Sequence, residues 1–218
     1  MRYKYKYEII YPKIEVTKET PIVMTLHGMN SSYFDLRPLV PVFGKDVIEL
    51  HIQGDLNYGS GYAYFIPKFI DKTETEVIGD VIAGIHDQVE KILGQKNLQG
   101  NPLFCLGFSQ GAIISAGLSI FYPNWLDVVA ILSARLPQFY IEEARKSLTE
   151  KKLDTGVFIS QGQKDPVFPL ETGRKLASFF RKYTDNVEYH EYPGGHIVDY
   201  SEPKDIYDWF NEFYITNN

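Results

Sequence analysis

Gly107-Phe108-Ser109-Gln110-Gly111 sets a serine between two glycines in the pattern G-x-S-x-G. The pattern belongs to a sharp strand-to-helix turn that lifts a hydroxyl above the end of a sheet. The flanks suit it: Leu103-Phe104-Cys105-Leu106 is an apolar run of strand length, and Ala112 to Gly117 reads as the helix that must follow. Glycines are needed on both sides because the turn strains the serine backbone and brings strand and helix too close for side chains. A serine hydroxyl is a poor nucleophile until a base takes its proton and a carboxylate orients that base. The bland alternative is a glycine-lined turn with a passive serine.

Five histidines are available as the base. His27 and His51 end apolar strand-like runs, His86 flanks the apolar stripe of a helix, and His190 sits within a strand, so structural roles are the simpler reading for these four. His196 follows the glycine-rich stretch Tyr192-Pro193-Gly194-Gly195, after the last expected strand. The acid candidate is Asp165 in Gly162-Gln163-Lys164-Asp165-Pro166-Val167, although Asp-Pro also makes a turn for its own sake. Ser109, Asp165 and His196 occur in the chain order of an α/β-hydrolase, each in the loop after a late strand. In open α/β sheets such loops converge beyond the carboxyl ends of the strands. A tetrahedral oxyanion would need backbone N–H donors. Gln110, opening the helix, is one, and Met29 in Leu26-His27-Gly28-Met29-Asn30 is the other.

The elements that must position these groups alternate along the chain, as in a mainly parallel sheet covered by helices on both faces. Arg2 to Tyr11 reads as an edge strand with protective lysines. Strands are expected at 22–26, 47–52, 103–106, 128–132, 156–160 and 187–192. Helices are expected at 33–42, short or kinked by Pro38 and Pro41, and at 75–93, 112–121, 140–148, 170–183 and 204–214. In the 75–93 helix, Ile78, Ile82, Ile85, Val89 and Ile92 recur at spacings of three and four and form a core-facing stripe. Between Leu132 and Gly156 there is room for one helix and no cap domain, which leaves an open site. Tyr62, Tyr64 and Phe65, from the glycine-rich segment that also carries Tyr58, are candidate pocket walls together with Leu136, Phe139 and Phe168. Simple packing is the alternative for each.

The chain of 218 residues suits a single domain, residues 1–218. Its formal net charge of −6 argues against nucleic acid or anionic membrane as a partner, and favours a small-molecule substrate. No stretch approaches a membrane span or a secretory signal, so a cytoplasmic location is expected. The lone Cys105 lies in an apolar run and reads as a buried thiol. No H-E-x-x-H or cysteine cluster suggests a metal, and no cofactor is expected.

On Leu26-His27-Gly28, Gly107-Phe108-Ser109-Gln110-Gly111, Gly162 with Asp165 and Val167, and Tyr192 with His196, the chain resembles the phospholipase/carboxylesterase family of small α/β-hydrolases. That family includes acyl-protein thioesterases and bacterial carboxylesterases. The likeness spans Ile22 to His196. It implies the α/β-hydrolase fold and hydrolysis of carboxylic esters through an acyl-enzyme on Ser109. Asp165 and His196 are then acid and base, Met29 and Gln110 oxyanion donors, and pairing as a homodimer is common among members. Many members carry a second glycine two residues after the first in the oxyanion loop, where this chain has Asn30. Two rival functions are a thioesterase or lysophospholipase acting on long acyl chains, and a hydrolase-fold protein that binds a small apolar ligand without turnover.

Overall fold

Short apolar runs bounded by turns become strands because their backbone groups pair in a ladder while both faces are buried. The computed structural model describes residues 4–148 and 153–217. Its strands are β1 (Lys6–Ile10), β2 (Ile22–Leu26), β3 (Ile48–Gln53), β4 (Leu56–Tyr58), β5 (Gly61–Ala63), β6 (Leu103–Phe108), β7 (Val128–Leu132), β8 (Gly156–Gly162) and β9 (Val187–Tyr192). Seven of them form one sheet in the order β1-β3-β2-β6-β7-β8-β9. All neighbours are parallel except β1, which pairs antiparallel with β3 from Lys6 opposite Gln53 to Ile10 opposite Glu49. Arg2 and Tyr3 of the expected edge strand lie outside the described residues.

Five α-helices, α1 (Glu74–Lys96), α2 (Gln110–Phe121), α3 (Gln138–Ser147), α4 (Leu170–Phe180) and α5 (Glu202–Asn217), cover the sheet among the described residues. The first starts where Thr73 accepts from the Glu76 amide while the Glu76 carboxylate accepts from the Thr73 amide, a reciprocal capping box. It ends at Asn97 with φ 57°. The period of two in the strands divides the core. Ile22, Met24, Leu103, Cys105, Val129 and Val157 pack toward α1, α2, α3 and α4. Val23, Phe104, Leu106, Val128 and Phe158 pack toward α5 and the segment 36–43 on the other face. The described residues between β7 and β8 hold α3 and no cap domain.

Two expectations change. The helix expected over 33–42 is a 3₁₀ turn at Arg37–Phe43, closed by bonds such as Leu39 N–H to Leu36 O and Gly44 N–H to Pro41 O. Pro38 and Pro41 lack amide hydrogens, so a full α-helical ladder is not available there. The segment between β3 and α1 is not plain loop, because β4 and β5 form a hairpin in which Tyr58 faces Gly61 across Gly59-Ser60. Strands of three residues carry too little periodicity to announce themselves, yet a Gly-Ser pair between two such runs is a hairpin signal.

Phe104 has no exposed surface and meets Phe210 and Tyr214 edge-on at centroid separations of 5.1 and 5.2 Å. Phe104→Ala is therefore expected to cost about 3–5 kcal/mol in chemical denaturation through the cavity it leaves.

Candidate active site

Ser109 connects β6 to α2 with φ 53° and ψ −112°, a conformation that an L-residue adopts only when its surroundings impose it. Here they do. Ser109 N–H donates to Leu132 O at 2.9 Å, Ile113 N–H to Ser109 O at 3.0 Å, and Gly111 N–H to His27 O at 3.1 Å. A Cβ at Gly111 would collide with Leu26 O, and one at Gly107 would lie 2.6 Å from Gly111 O, so neither position tolerates a side chain without displacing backbone.

Asp165 and His196 arrive in loops tied to one another by Gln163 N–H to Tyr192 O (2.7 Å) and Lys164 N–H to Gly194 O (3.0 Å). The Asp165 side chain is fully buried and accepts four hydrogen bonds. Oδ1 takes the amides of Val167 (2.7 Å) and Phe168 (2.8 Å), and Oδ2 takes Gln161 Nε2 (2.9 Å) and His196 Nδ1 (2.7 Å). The turn made by Asp-Pro and the orientation of the acid are thus one arrangement. Because Nδ1 faces an acceptor, it carries the proton, and Nε2 is left to accept from Ser109 Oγ at 2.7 Å. Rings of Phe108 and Phe168 flank the imidazole at 5.1 and 5.4 Å.

The loop after β2 lies against this serine: a Cβ at Gly28 would sit 3.4 Å from Ser109 Cβ. His27 organises it. Gly54 N–H donates to His27 Nε2 at 3.0 Å, which leaves the proton on Nδ1, 2.6 Å from Gly28 O. Burial lowers the His27 pKa, in keeping with a neutral ring. With Gly28 O held by His27, the trans peptide turns the Met29 N–H to the opposite side. Gln110, as first residue of α2, has no intrahelical carbonyl for its amide. Its side chain is pinned in both directions, Oε1 accepting Tyr64 N–H (2.7 Å) and Nε2 donating to Phe65 O (2.8 Å).

The remaining candidates are distributed unevenly. Phe168 stands against His196, and the backbone of Tyr62 pairs with Ser31 in the loop after β2. Tyr64 is 2% exposed, accepting from His27 N–H and donating to Ile52 O, so it braces the loop from the core. Phe65 is buried beside it. Phe139 packs on Phe121 and Tyr140, and Leu136 lines a groove between α3 and α4. His51 bonds Thr25 and Glu49, His86 stacks on Tyr122 at 3.6 Å, and His190 bonds Glu188. Cys105 is fully buried, which pushes its thiol pKa up. Gln161, Phe108, His27 and Asn30 are site neighbours that the reading of sequence did not single out for these roles. The signals available in the sequence are the His27-Gly28 pair adjoining the oxyanion candidate, Asn30 in place of a second glycine, and the position of Phe108 inside the G-x-S-x-G motif.

Residues 61–213 match the Phospholipase/Carboxylesterase family. The chain belongs to that family. Among phospholipase/carboxylesterase relatives it is 29% identical over 125 residues to Carboxylesterase SOBER1 of Arabidopsis thaliana, covering 56% of this chain and 54% of the relative. It is 30% identical over 105 residues to acyl-protein thioesterase 1 of Kluyveromyces lactis, covering 46% and 45%. These matches span about half the length of the curated relatives. In fold, the Bacillus cereus carboxylesterase superposes with a TM-score of 0.81 at 19% identity over 96% of this chain and 94% of that one. The α/β-hydrolase fold follows. Among the described residues no helix is long and apolar enough to cross a membrane.

In this family member the His196 loop is anchored by Glu202, at the start of α5, which accepts from Ser160 Oγ on β8 and from Asp199 N–H (3.1 Å). Glu202 is 2% exposed. Burial above all, with the charges of Asp199 and Asp205, pushes its carboxyl from 4.5 up to about 7, against the pull of those two hydrogen bonds. The folded protein then keeps a proton that the unfolded chain releases above 4.5. Stability contributed by this group falls as pH rises from 4.5 to about 7, and the whole penalty, on the order of 3 kcal/mol, applies above that window. Thermal melts should show Glu202→Gln gaining on wild type as pH rises through the window, with little difference below it. A gap independent of pH would contradict this account.

Proposed function

We propose that the chain is a serine carboxylesterase that hydrolyses small carboxylic esters through an acyl-enzyme on Ser109. The observation that carries the reading is the unbroken line Ser109 Oγ, His196 Nε2, His196 Nδ1, Asp165 Oδ2, with both hydrogen bonds at 2.7 Å. As Ser109 attacks the ester carbonyl, its proton passes to His196 Nε2, and the imidazolium is stabilised by the buried Asp165. The carbonyl oxygen gathers charge in front of the Met29 and Gln110 amides, the second at the positive end of α2. The same imidazolium then protonates the departing alcohol, and water repeats the sequence on the acyl-enzyme. Phe108 and Phe168 restrict water around the imidazole and offer an apolar surface to the substrate. The acidic balance and single cysteine fit a cytoplasmic enzyme acting on small neutral molecules.

A second reading, thioester hydrolysis, is favoured by the 30% identity to acyl-protein thioesterase 1 of Kluyveromyces lactis. It needs the same residues in the same roles. Comparison of p-nitrophenyl acetate, p-nitrophenyl palmitate and a palmitoyl thioester separates the two, with the short ester expected to give the highest kcat/KM.

A fluorophosphonate probe is expected to label the wild type at Ser109. Ser109→Ala should lose labelling and at least about 10⁴-fold in kcat/KM while keeping its melting temperature. Absence of labelling in folded wild type, or equal labelling of Ser109→Ala, would exclude the mechanism.

A further inference from the structure

Asn30 follows the proposed oxyanion donor directly and has φ 63°, in the left-handed region that asparagine tolerates better than most residues. Its amide donates to Tyr62 O at 2.9 Å, and Tyr62 N–H returns a bond to Ser31 O at 2.8 Å. Its side chain reaches farther: Oδ1 accepts Ser60 N–H at 2.9 Å, with Ser60 Oγ at 3.4 Å. The hairpin of β4 and β5 is therefore joined to the loop at its tip and along its returning strand. Contact there is close enough to exclude side chains. A Cβ at Gly61 would lie 2.6 Å from the Asn30 carbonyl carbon, and one at Gly59, where φ is 58°, would collide with the Asn30 amide group.

The two ends of the same segment grip the two proposed oxyanion donors. Before β4, Gly54 N–H fixes the His27 tautomer and through it the Gly28–Met29 peptide. After β5, Tyr64 N–H and Phe65 O hold the side chain of Gln110. Asn30 closes the remaining gap, between Met29 and the hairpin tip. Without its side chain, the Met29 amide would be tethered on one flank, at Gly28, and only by backbone on the other.

Resting on the serine-hydrolase reading above, we propose that Asn30 is a positioning residue whose carboxamide latches the 54–65 hairpin onto the oxyanion loop and fixes the Met29 N–H for the transition state. The latch acts through Met29 and touches no reacting atom. Its loss weakens transition-state stabilisation while leaving ground-state binding nearly intact, because an oxyanion donor is worth most when the charge develops.

The decisive variants are Asn30→Gly, which accepts the backbone conformation but lacks the latch, and Asn30→Asp, which keeps both the conformation and an oxygen acceptor. Asn30→Gly is expected to lower kcat on p-nitrophenyl acetate by about tenfold to a hundredfold with KM changed less than about threefold. Asn30→Asp should return kcat to within about fivefold of wild type, its exposed charge being screened at ordinary salt. Amide hydrogen exchange supplies a readout independent of turnover: peptides covering 26–33 and 56–65 should exchange about tenfold faster in Asn30→Gly and near the wild-type rate in Asn30→Asp. Unchanged exchange, faster exchange with unchanged kcat, or an Asn30→Asp as slow as Asn30→Gly would each overturn the proposal. If wild type neither turns over esters nor takes the fluorophosphonate while exchange responds as described, the latch stands as a structural device and the proposed function, with its role in positioning, fails.

Discussion

The arrangement depends on one residue held where it would not go by itself. Ser109 at φ 53° and ψ −112° carries strain on the order of 1–3 kcal/mol, which persists only because neighbouring groups over-determine it. Those groups come from three directions: Leu132 O on β7 takes its amide, Ile113 on α2 takes its carbonyl, and His27 O fixes the adjacent Gly111. The reward is geometric. A serine in a relaxed strand or helix would present its hydroxyl to a neighbouring side chain, whereas here it projects from the turn to meet an imidazole that arrives 87 residues later.

Most of the supporting bonds serve two ends at once. The Asp165 carboxylate closes its own turn through Val167 and Phe168 and also orients His196. His27 is a buried core residue that ties β2 to Gly54 and sets the direction of the following peptide. Gln110 offers its backbone at the start of α2 while its side chain anchors the segment that leaves the hairpin. Such overlap explains why few exposed groups are needed near the serine. Under the proposed mechanism, the field at that point would come from aligned amides and a helix terminus, which are fixed before any substrate arrives and cost no reorganisation when charge develops.

Much of this could be read from the chain because the relevant signals were local and strong. The glycines around Ser109, the glycine-rich approach to His196 and the Asp-Pro turn each bent the backbone in a way that residue types announce. Order along the chain then joined them. The apolar run at 128–132 and the alternation of Val187, Tyr189 and Glu191 with Glu188, His190 and Tyr192 coincide with β7 and β9 because β-branched and aromatic residues bounded by turns favour strands. What stayed hidden was tertiary. Gln161 reaches Asp165 from inside β8, where nothing in the sequence separates it from any other strand residue. The burial of Glu202 depends on β8 lying beneath α5. Tyr64 and Phe65, whose aromatic rings suggest pocket walls, are instead buried, Tyr64 bracing the loop after β2 through His27 and the backbone of both answering the Gln110 side chain. The hairpin's strands, three residues each, are too short for alternation to mark them in the sequence.

The central claim is that Ser109 sits at a point where a proton can leave toward His196 while negative charge is received by the amides of Met29 and Gln110. The most direct measurement is a crystal structure of the phosphonylated protein, in which a tetrahedral phosphorus mimics the intermediate. The account predicts phosphorus bonded to Ser109 Oγ, with its phosphoryl oxygen about 2.7–3.1 Å from both amide nitrogens. A phosphoryl oxygen turned to solvent, or an adduct on another residue, would contradict it.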